Sequence, residues 1–518
     1  MAGGTAAPRG RAALPSPADA LFLMLAFLVP ALAGGRLVGS DGDAAAHVRL
    51  GQWMLEARGL VRTSLFAFTN EGEPFLAFAW GAEIVYAAAH GVGGFAAVAL
   101  LAGCLIGATY ALLYRFLRQQ GVEPLLALAA VLLGAFCGSP HWLARPHLFT
   151  LLGVVLLLGL LERPGRRSLV LVALLFAVWA NLHGGFLYGL ILIALYAAGD
   201  AAELWLGRRG ADGAAWGARL RYHASALGVA VLGTLLNPHG PALLAHVAGF
   251  LGEGFILDAI EEYRSPDFHE AYALPFLAAL LLAMAGLALR RGRPPLPWLA
   301  VILVTAAFAL YAARNMALFG VAAVPAAALA LDADWRRSGW LPRARRALAY
   351  GDAGGRLGPW SAAGLLLLLL LAWRGGEVAG RRVVADELDP GRFPVAAVAA
   401  AREAGLEGRI FNAYVWGGYM VYAWPEQRVF IDGVTAHYGA ALTADYLRVI
   451  GLDAGWREVL DRWRIDHALL PAGSRLAAQL ALEPGWRPWY CDSVAVILTR
   501  AAMPPPPPAS PTCARPAT

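Results

Sequence analysis

Long apolar runs alternate with short polar loops over the first three quarters of the chain. Most runs hold about 16 to 22 residues, close to the length that carries a helix across a bilayer. The pattern therefore predicts a polytopic bundle of about eleven transmembrane α-helices. The runs lie at 18–38, 93–114, 124–139, 146–161, 168–183, 186–206, 223–237, 272–289, 296–312, 315–331 and 360–373.

One further apolar segment, 75–91, is interrupted by Trp80, Glu83 and His90. An amphipathic helix lying on the membrane surface accommodates such side chains better than a span does. We therefore place this segment in a long first loop, 39–92, between the first two spans.

The pattern changes after residue 382, where charged residues become ordinary in number and short apolar stretches alternate with helical ones. This alternation predicts a small soluble α/β domain over 383–500. Residues 501–518 begin with a proline run and are expected to be a disordered tail. The predicted helices are 395–404, 440–450 and 454–463, with one more after Trp416–Tyr419, and the predicted strands are 409–411, 428–431, 467–470 and 493–499.

Composition supports a membrane protein, since mean hydropathy is +0.56 and only 15% of residues are charged. All basic residues are arginine, which excludes a lysine nucleophile, a lysine Schiff base or a P-loop lysine. A net charge of +6 would suggest nucleic acid in a soluble protein. Here the arginines lie in short loops between spans, so membrane topology explains them and no nucleic-acid partner is expected.

Arginine placement predicts the orientation, because cytoplasmic loops of membrane proteins are enriched in basic residues. If residues 1–17 form a cytoplasmic tail, alternate loops of the membrane domain 18–382 carry most of the arginines. The soluble domain then lies outside, as in a multi-pass protein of the bacterial inner membrane. The inner loops would hold Arg115, Arg118, Arg163, Arg166, Arg167, Arg208, Arg209, Arg219, Arg221, Arg290, Arg291, Arg293, Arg336, Arg337, Arg343, Arg345 and Arg346.

This topology gathers the polar residues that could do chemistry on the outer face, whereas the inner loops carry arginines and little else. Polar groups collected at one end of a helical bundle are typical of a membrane-embedded active site. The candidate site residues are Asp41, Asp43, His47, Glu83, Arg145, His147, Asn181, His183, Glu261 and Arg314.

Each candidate has a chemical role and a structural alternative. Asp41 and Asp43 can act as a catalytic base or as ligands of a divalent metal such as Mg or Mn, but Asp-Gly-Asp also suits a helix cap. Arg145 and Arg314 can hold phosphate oxygens in bidentate fashion, or end loops and reach toward headgroups. The histidines can donate to phosphate or ligate metal.

Several other motifs keep structural readings open. His47 and Arg49 are two apart and point to different sides of a helix, so only one is expected in the site, and we favour His47. Asn237-Pro238-His239-Gly240 reads better as a turn. Trp416 and Tyr419 are more often core aromatics than acceptor contacts.

At these residues the chain resembles the GT-C class of membrane glycosyltransferases, which use polyprenyl-phosphate-linked sugars. That class has an acidic motif in the first outer loop, surface-lying helices after it and a soluble outer domain at the end. Here Ser40-Asp41-Gly42-Asp43, segment 75–91 with Glu83, and region 383–500 take those places.

The chain is also similar to a group of bacterial polytopic membrane proteins, and one motif resembles the Trp-rich acceptor motif of oligosaccharyltransferases. That motif is Trp416-Gly417-Gly418-Tyr419, and it lacks the internal aspartate. The similarity to the bacterial group rests on Arg145-Pro146-His147, Asn181-Leu182-His183-Gly184-Gly185, Asn237-Pro238-His239-Gly240 and Phe411-Asn412-Ala413-Tyr414-Val415-Trp416-Gly417-Gly418-Tyr419.

The resemblance implies an enzyme that transfers a sugar from a polyprenyl-phosphate donor to a glycan, lipid or protein acceptor at the outer face of the membrane. Two alternatives use the same residues. One is a transporter or flippase for lipid-linked or anionic solutes, which should show polar residues at mid-span and at inner gates. The other is a non-catalytic membrane subunit whose soluble domain binds an envelope partner.

Overall fold

The structure is a computed structural model that describes residues 14–39, 42–207, 213–250, 261–290, 293–352, 357–433 and 438–500. Helices dominate the first 373 residues, and strands occur only in the later part of these ranges, apart from isolated bridges. The helices are α1 (Pro17–Gly39), α2 (Asp43–Ala57), α3 (Trp80–Gln119), α4 (Pro124–Gly138), α5 (His147–Leu161), α6 (Arg166–Trp179), α7 (Phe186–Trp205), α8 (Gly213–Thr234), α9 (Ala242–Phe250), α10 (Leu274–Leu289), α11 (Leu296–Tyr311), α12 (Met316–Ser338), α13 (Pro342–Gly351) and α14 (Pro359–Trp373).

This bundle makes the chain a multi-pass membrane protein. Within the described ranges, six helical stretches are long and apolar enough to cross a bilayer. Three shorter apolar helices, α5, α11 and α14, accompany them. The count of about eleven spans remains a prediction. The six stretches are Pro17–Gly39, Trp80–Gln119, Pro124–His141, Phe186–Trp205, Ala271–Ala288 and Ala313–Ser338.

Helix α3 contains the boundary that the hydropathy pattern placed between segment 75–91 and the next span. The helical geometry is broken at Gly93 and Gly94, and Gly94 has a φ of +63°. Only glycine adopts this conformation easily. A Cβ at Gly94 would also overlap with the carboxylate of Asp386. That carboxylate accepts a hydrogen bond from the backbone N–H of Ala96 at 2.8 Å, so it caps the second part of α3.

The C-terminal region forms the predicted α/β structure. After a short hairpin of β1 (Glu377–Val378) and β2 (Arg381–Arg382), its main sheet has four strands in the order β3-β4-β6-β5. The β3–β4 pair is parallel, and the β4–β6 and β5–β6 pairs are antiparallel. Its elements are α15 (Val395–Glu403), β3 (Ile410–Asn412), α16 (Tyr414–Ala423), α17 (Gly439–Gly451), α18 (Trp456–Arg462), β4 (His467–Pro471), α19 (Arg475–Leu480), β5 (Arg487–Cys491) and β6 (Ala495–Thr499).

One predicted strand, 428–431, is not a strand of this sheet. Its backbone instead meets the loop 58–79 that follows α2. Val429 donates to the carbonyl of Phe66 at 2.8 Å and accepts from Phe68 at 3.1 Å. The hydroxyl of Thr69 donates to the carbonyl of Phe430 at 2.7 Å. This apolar stretch is therefore buried against the loop 58–79. In the sequence, a short buried segment of this kind has the same hydrophobic pattern as a buried strand.

The start of α2 also lies directly against α16. A Cβ at Gly42 would come within 2.6 Å of the backbone nitrogen of Tyr419. A Cβ at Gly418 would overlap with the carbonyl oxygen of Gly42. Glycine on both sides lets the two backbones approach this closely, and Asp43 lies at this junction.

Candidate active site

Two carboxylates and two guanidiniums converge where α2, the loop before α5 and the loops around α10 and α12 meet. Arg145 Nη2 lies 3.3 Å from Asp43 Oδ2, and Arg145 Nη1 lies 3.8 Å from Glu262 Oε1. Arg314 Nη1 lies 3.5 Å from the same Glu262 oxygen. The Arg314 guanidinium also stacks over the ring of Tyr263, with its carbon 4.3 Å from the ring centroid. We call Asp43, Arg145, Glu262 and Arg314 the charged cluster.

Electrostatics favour the ionised form of Glu262 in this cluster. Burial alone would raise the pKa of the Glu262 carboxyl, but the nearby Arg314 and Arg145 guanidiniums lower it more, so its pKa lies below the ordinary value. Side chains of the cluster are 20% to 29% exposed. An incoming anion can therefore reach both guanidiniums.

Local backbone contacts hold the arginines at this place. The hydroxyl of Tyr86 donates to the carbonyl of Arg145 at 2.8 Å. The N–H of Ala144 donates to the carbonyl of Leu37, at the end of α1, at 2.7 Å. On the other side, Ala313 N–H donates to the carbonyl of Arg264 at 2.8 Å, which joins the Arg314 loop to the Glu262 loop.

Glu261 was the predicted site residue of the Glu261-Glu262 pair, but the carboxylate that joins the cluster is that of Glu262. The side chain of Glu261 lies outside the described part of the structure, as does Asp41 as a whole. Two adjacent glutamates in a loop have no periodicity that could identify which one turns inward.

His47 and Glu83 form a second polar pair next to the cluster. His47, one turn after Asp43 on α2, has its Nδ1 at 3.2 Å from Glu83 Oε1. Glu83 is buried, and its other carboxylate oxygen has no partner among the described residues. Arg49 faces elsewhere and pairs with Glu56 at 3.4 Å, as the helical spacing predicted.

The other predicted histidines lie close by, each fixed by a hydrogen bond. His147 Nε2 donates to the carbonyl of His141 at 2.7 Å. His183 Nδ1 accepts from the Gly185 N–H at 3.0 Å and lies 2.8 Å from the hydroxyl oxygen of Thr150. This arrangement leaves Nε2 of His183 as the protonated nitrogen. His147, Arg314 and His47 lie near enough to His183 to influence it electrostatically.

Asn181 differs from the histidines because its side chain is fully used in the fold. Its oxygen accepts from the Trp80 indole at 2.8 Å. Its nitrogen donates to the carbonyls of Ala177 and Leu236 at 2.7 and 2.9 Å. The residue therefore ties α3, α6 and the end of α8 together. Asn237 similarly closes its own turn, as its sequence context favoured.

In the motif Trp416-Gly417-Gly418-Tyr419, which resembles an acceptor motif, the two aromatic side chains are part of the protein core. Trp416 is 3% exposed and donates its indole N–H to the carbonyl of Arg392 at 2.9 Å. Tyr419 is 6% exposed and packs on the ring of Phe393. Both are core residues, in agreement with the structural reading of this motif.

Two residues that the sequence analysis did not select help to form the site. A Cβ at Gly433 would overlap with the carboxylate of Asp43, so only glycine fits there. Buried Asn412 holds the preceding segment, because its oxygen accepts from Phe430 N–H and its nitrogen donates to the carbonyl of Ile431, both at 2.8 Å. Asn412 was visible as a polar residue in an apolar strand.

A metal ion at Asp41 and Asp43 was one of the predictions. Among the described residues, no three His, Cys, Asp or Glu side chains are placed to hold a metal. Asp43 instead has a guanidinium as its partner. The described residues alone therefore do not form a metal site.

The opposite end of the bundle is richer in polar groups than expected. Asp200 Oδ2 lies 2.6 Å from His223 Nδ1, and both side chains are fully buried. Arg219 lies 3.5 Å from Asp200 and 3.7 Å from Glu162, and Trp298 donates to Glu162 at 3.0 Å. Arg219, which the sequence placed in an inner loop, lies in α8 and pairs with these acidic residues of neighbouring helices.

Together these observations define a polytopic membrane protein with the GT-C fold, its polar site lying between the bundle and a small α/β region. No protein-family model and no curated protein matches the chain. Among solved structures it is similar to the oligosaccharyltransferase AglB of Archaeoglobus fulgidus in complex with an inhibitory peptide and a dolichol-phosphate. The TM-score is 0.55 at 12% identity, over 88% of this chain and 70% of that one.

Two other structures of the oligosaccharyltransferase from the same organism give similar values. The apo form matches with a TM-score of 0.53 and 13% identity, over 88% of this chain and 69% of the other. The complex with Zn and sulfate matches with a TM-score of 0.51 and 11% identity, over 93% and 72%. At such identities the similarity establishes the fold.

Proposed function

We propose that the protein is a membrane glycosyltransferase that transfers a sugar from a polyprenyl-phosphate-linked donor to a glycan, lipid or protein acceptor. The observation that carries this proposal is the charged cluster, in which Asp43 and two guanidiniums meet in a GT-C fold. The oligosaccharyltransferase AglB has been solved with dolichol-phosphate and a peptide, which is consistent with a lipid-linked donor and such an acceptor.

The chemistry assigns a role to each member of the cluster. The acceptor nucleophile attacks the anomeric carbon while the bond from that carbon to the phosphate oxygen breaks. Asp43 takes the proton of the nucleophile as general base. The departing phosphate gains negative charge, which Arg145 and Arg314 stabilise. Glu262 holds both guanidiniums toward one another before the donor binds.

The neighbouring histidine groups bind rather than react. Nε2 of His183 can donate to a phosphate or sugar oxygen, since its Nδ1 is already engaged. His47, oriented by Glu83, offers a second donor next to Asp43. The apolar surfaces between helices would hold the polyprenyl tail. In this proposal the site opens to the periplasm of a bacterial inner membrane, as arginine placement predicts.

The proposal includes a divalent metal only if Asp41 serves as one of its ligands. A structure of the A. fulgidus oligosaccharyltransferase contains Zn and sulfate. In this chain the described carboxylate next to that position is Asp43, and Asp41 would have to complete a ligand set with it. Both Asp41→Asn and Asp43→Asn are expected to abolish transfer.

The test uses the full chain reconstituted in liposomes with radiolabelled polyprenyl-phosphate sugars and a panel of hydroxyl and peptide acceptors. We expect Asp43→Asn to abolish release of unglycosylated polyprenyl phosphate, with the folded protein retained in size-exclusion chromatography. The matched control is Glu56→Gln, a 64%-exposed carboxylate on the same helix. Full activity of Asp43→Asn, or movement of intact labelled lipid across the bilayer without bond cleavage, would overturn the proposal, the second in favour of a flippase.

A further inference from the structure

A second candidate binding site lies at the end of the bundle opposite Asp43. An apolar groove of about 410 Å³ runs between the start of α1, the start of α4 and α13. Its volume lies within the roughly 300–1,000 Å³ of known ligand pockets. Its lining includes Ala20 on α1, Leu128 and Leu132 on α4, and Ala347 and Leu348 on α13.

The groove is far from the charged cluster. Helix α1 runs from the groove to the Asp43 junction, and at about 1.5 Å per residue this distance is roughly 30 Å. The groove is therefore separate from the charged cluster.

Helix α13 carries three arginines just before its groove-lining residues Ala347 and Leu348. One of its arginines, Arg345, turns toward α4 and lies 3.6 Å from Glu123, which also accepts the Trp335 indole at 2.7 Å. This contact anchors the helix. Arg343 and Arg346 are exposed instead, and neither has an acidic partner among the residues that the structure describes.

The approach to α13 carries the apolar side chains of an interfacial helix. Trp340 and Leu341 are 69% and 57% exposed, directly before the helix begins. Exposed Trp and Leu beside exposed arginines are typical of a helix that lies at the boundary of headgroups and acyl chains. Arg343 and Arg346 are therefore available to lipid headgroups, while Ala347 and Leu348, within about one turn of them, line the groove.

We infer that this groove binds an anionic phospholipid, with one acyl chain between α1, α4 and α13 and its phosphate at Arg343 and Arg346. The charge complementarity decides the ligand class, since a zwitterionic lipid gains less from two unpaired guanidiniums. The apolar lining requires a chain, so inorganic phosphate alone does not satisfy the site. This inference does not depend on the proposed transfer reaction.

Native mass spectrometry of the full chain, released from micelles that contain phosphatidylglycerol or phosphatidylcholine, tests the inference. We expect retention of one phosphatidylglycerol and little phosphatidylcholine. The double variant Arg343→Gln/Arg346→Gln should bind phosphatidylglycerol roughly tenfold more weakly or worse. The control is Arg166→Gln/Arg167→Gln, which removes two exposed arginines at the start of α6, away from the groove.

A second variant tests the apolar half. Ala20→Phe fills the groove from an exposed position on α1, so the fold should tolerate it, and phosphatidylglycerol retention should fall as far as in the arginine variant. Equal retention of the two lipids by the original chain would overturn the inference, as would equal loss in the Arg166/Arg167 control. Loss of retention on deleting residues 1–13 would also overturn it, because those residues would then be part of the site.

Discussion

Arg314 determines the charge state of Glu262 more than any other residue near it. It is the largest of the cationic influences that hold the pKa of this carboxyl below its ordinary value against burial. With a lowered pKa, the ionised pair is fully formed above the ordinary glutamate pKa and is lost only as pH falls through the lower value. Glu262 is therefore ionised at neutral pH.

Arg314→Gln should shift this balance. One guanidinium fewer then opposes the effect of burial, so the pKa of Glu262 rises and the acid limb of the pH–activity profile moves to higher pH. Arg314→Lys keeps the charge and should restore most of the original acid limb. Transfer rates measured between pH 4 and pH 8 check both variants. An acid limb that does not move in Arg314→Gln would show that Glu262 does not titrate in the assay.

Arg145 makes the stronger residue-scale prediction, since it alone contacts both carboxylates of the cluster. Arg145→Gln should lower kcat about 10²- to 10³-fold, as expected for loss of one preorganised donor at a developing anion. Arg145→Lys should recover little, because an ammonium cannot bridge two groups bidentately. Single-turnover rates with the lipid-linked sugar check this. The control is Arg428→Gln, an exposed arginine paired with Glu71.

At the scale of elements, hydropathy located the long apolar helices, but it did not locate α2, α9 and α13 or show which helices pack together. The predicted boundary between segment 75–91 and the run 93–114 lies next to the break in α3 at Gly93 and Gly94. The capping of that break by Asp386 was not predictable, since Asp386 lies 290 positions after Ala96, whose N–H it accepts. Likewise, residues 428–431 had a strand pattern, and only the fold shows that their partner is loop 58–79.

The buried Asp200–His223 pair gives an element-scale prediction. Asp200 joins α7 to α8 through His223 and Arg219, and it is inaccessible to solvent. Asp200→Asn should lower the unfolding free energy by about 3–5 kcal/mol, because it removes the carboxylate from a fully buried hydrogen-bonded pair. Thermal unfolding in detergent measures the effect. Asp334→Asn removes an exposed pair with Arg337 and should change stability by about 0–1 kcal/mol.

At the scale of the whole molecule, the sequence selected several residues that the structure brings together, but not the arrangement that joins them. Arginine counting placed Asp43, Arg145 and Arg314 on one face, and all three meet there. The choice of Glu261 and of Asn181 depended on local motifs, and side-chain direction in a loop or a helix break is set by distant contacts such as Trp80. Gly433 had no signal at all, because its importance comes from the approach of Asp43.

That approach suggests that the α/β region is part of the site rather than a separate module. Gly418 touches the backbone before Asp43, and Gly433 touches its carboxylate. Gly433→Ala should displace the carboxylate and reduce transfer at least tenfold, while Arg145→Gln in the same background should add less than it does alone. Gly473→Ala, at a glycine with open space around it, is the matched control.

The same variants separate a local effect from loss of the domain. If Gly433→Ala acts through Asp43, the α/β region stays docked, and limited proteolysis between 374 and 394 should proceed as in the original chain. Gly418→Val instead forces the two backbones apart, so it should both abolish transfer and expose that segment to protease. Unchanged transfer in Gly433→Ala would mean that the α/β region does not hold the Asp43 carboxylate in place. The site would then consist of the membrane helices alone.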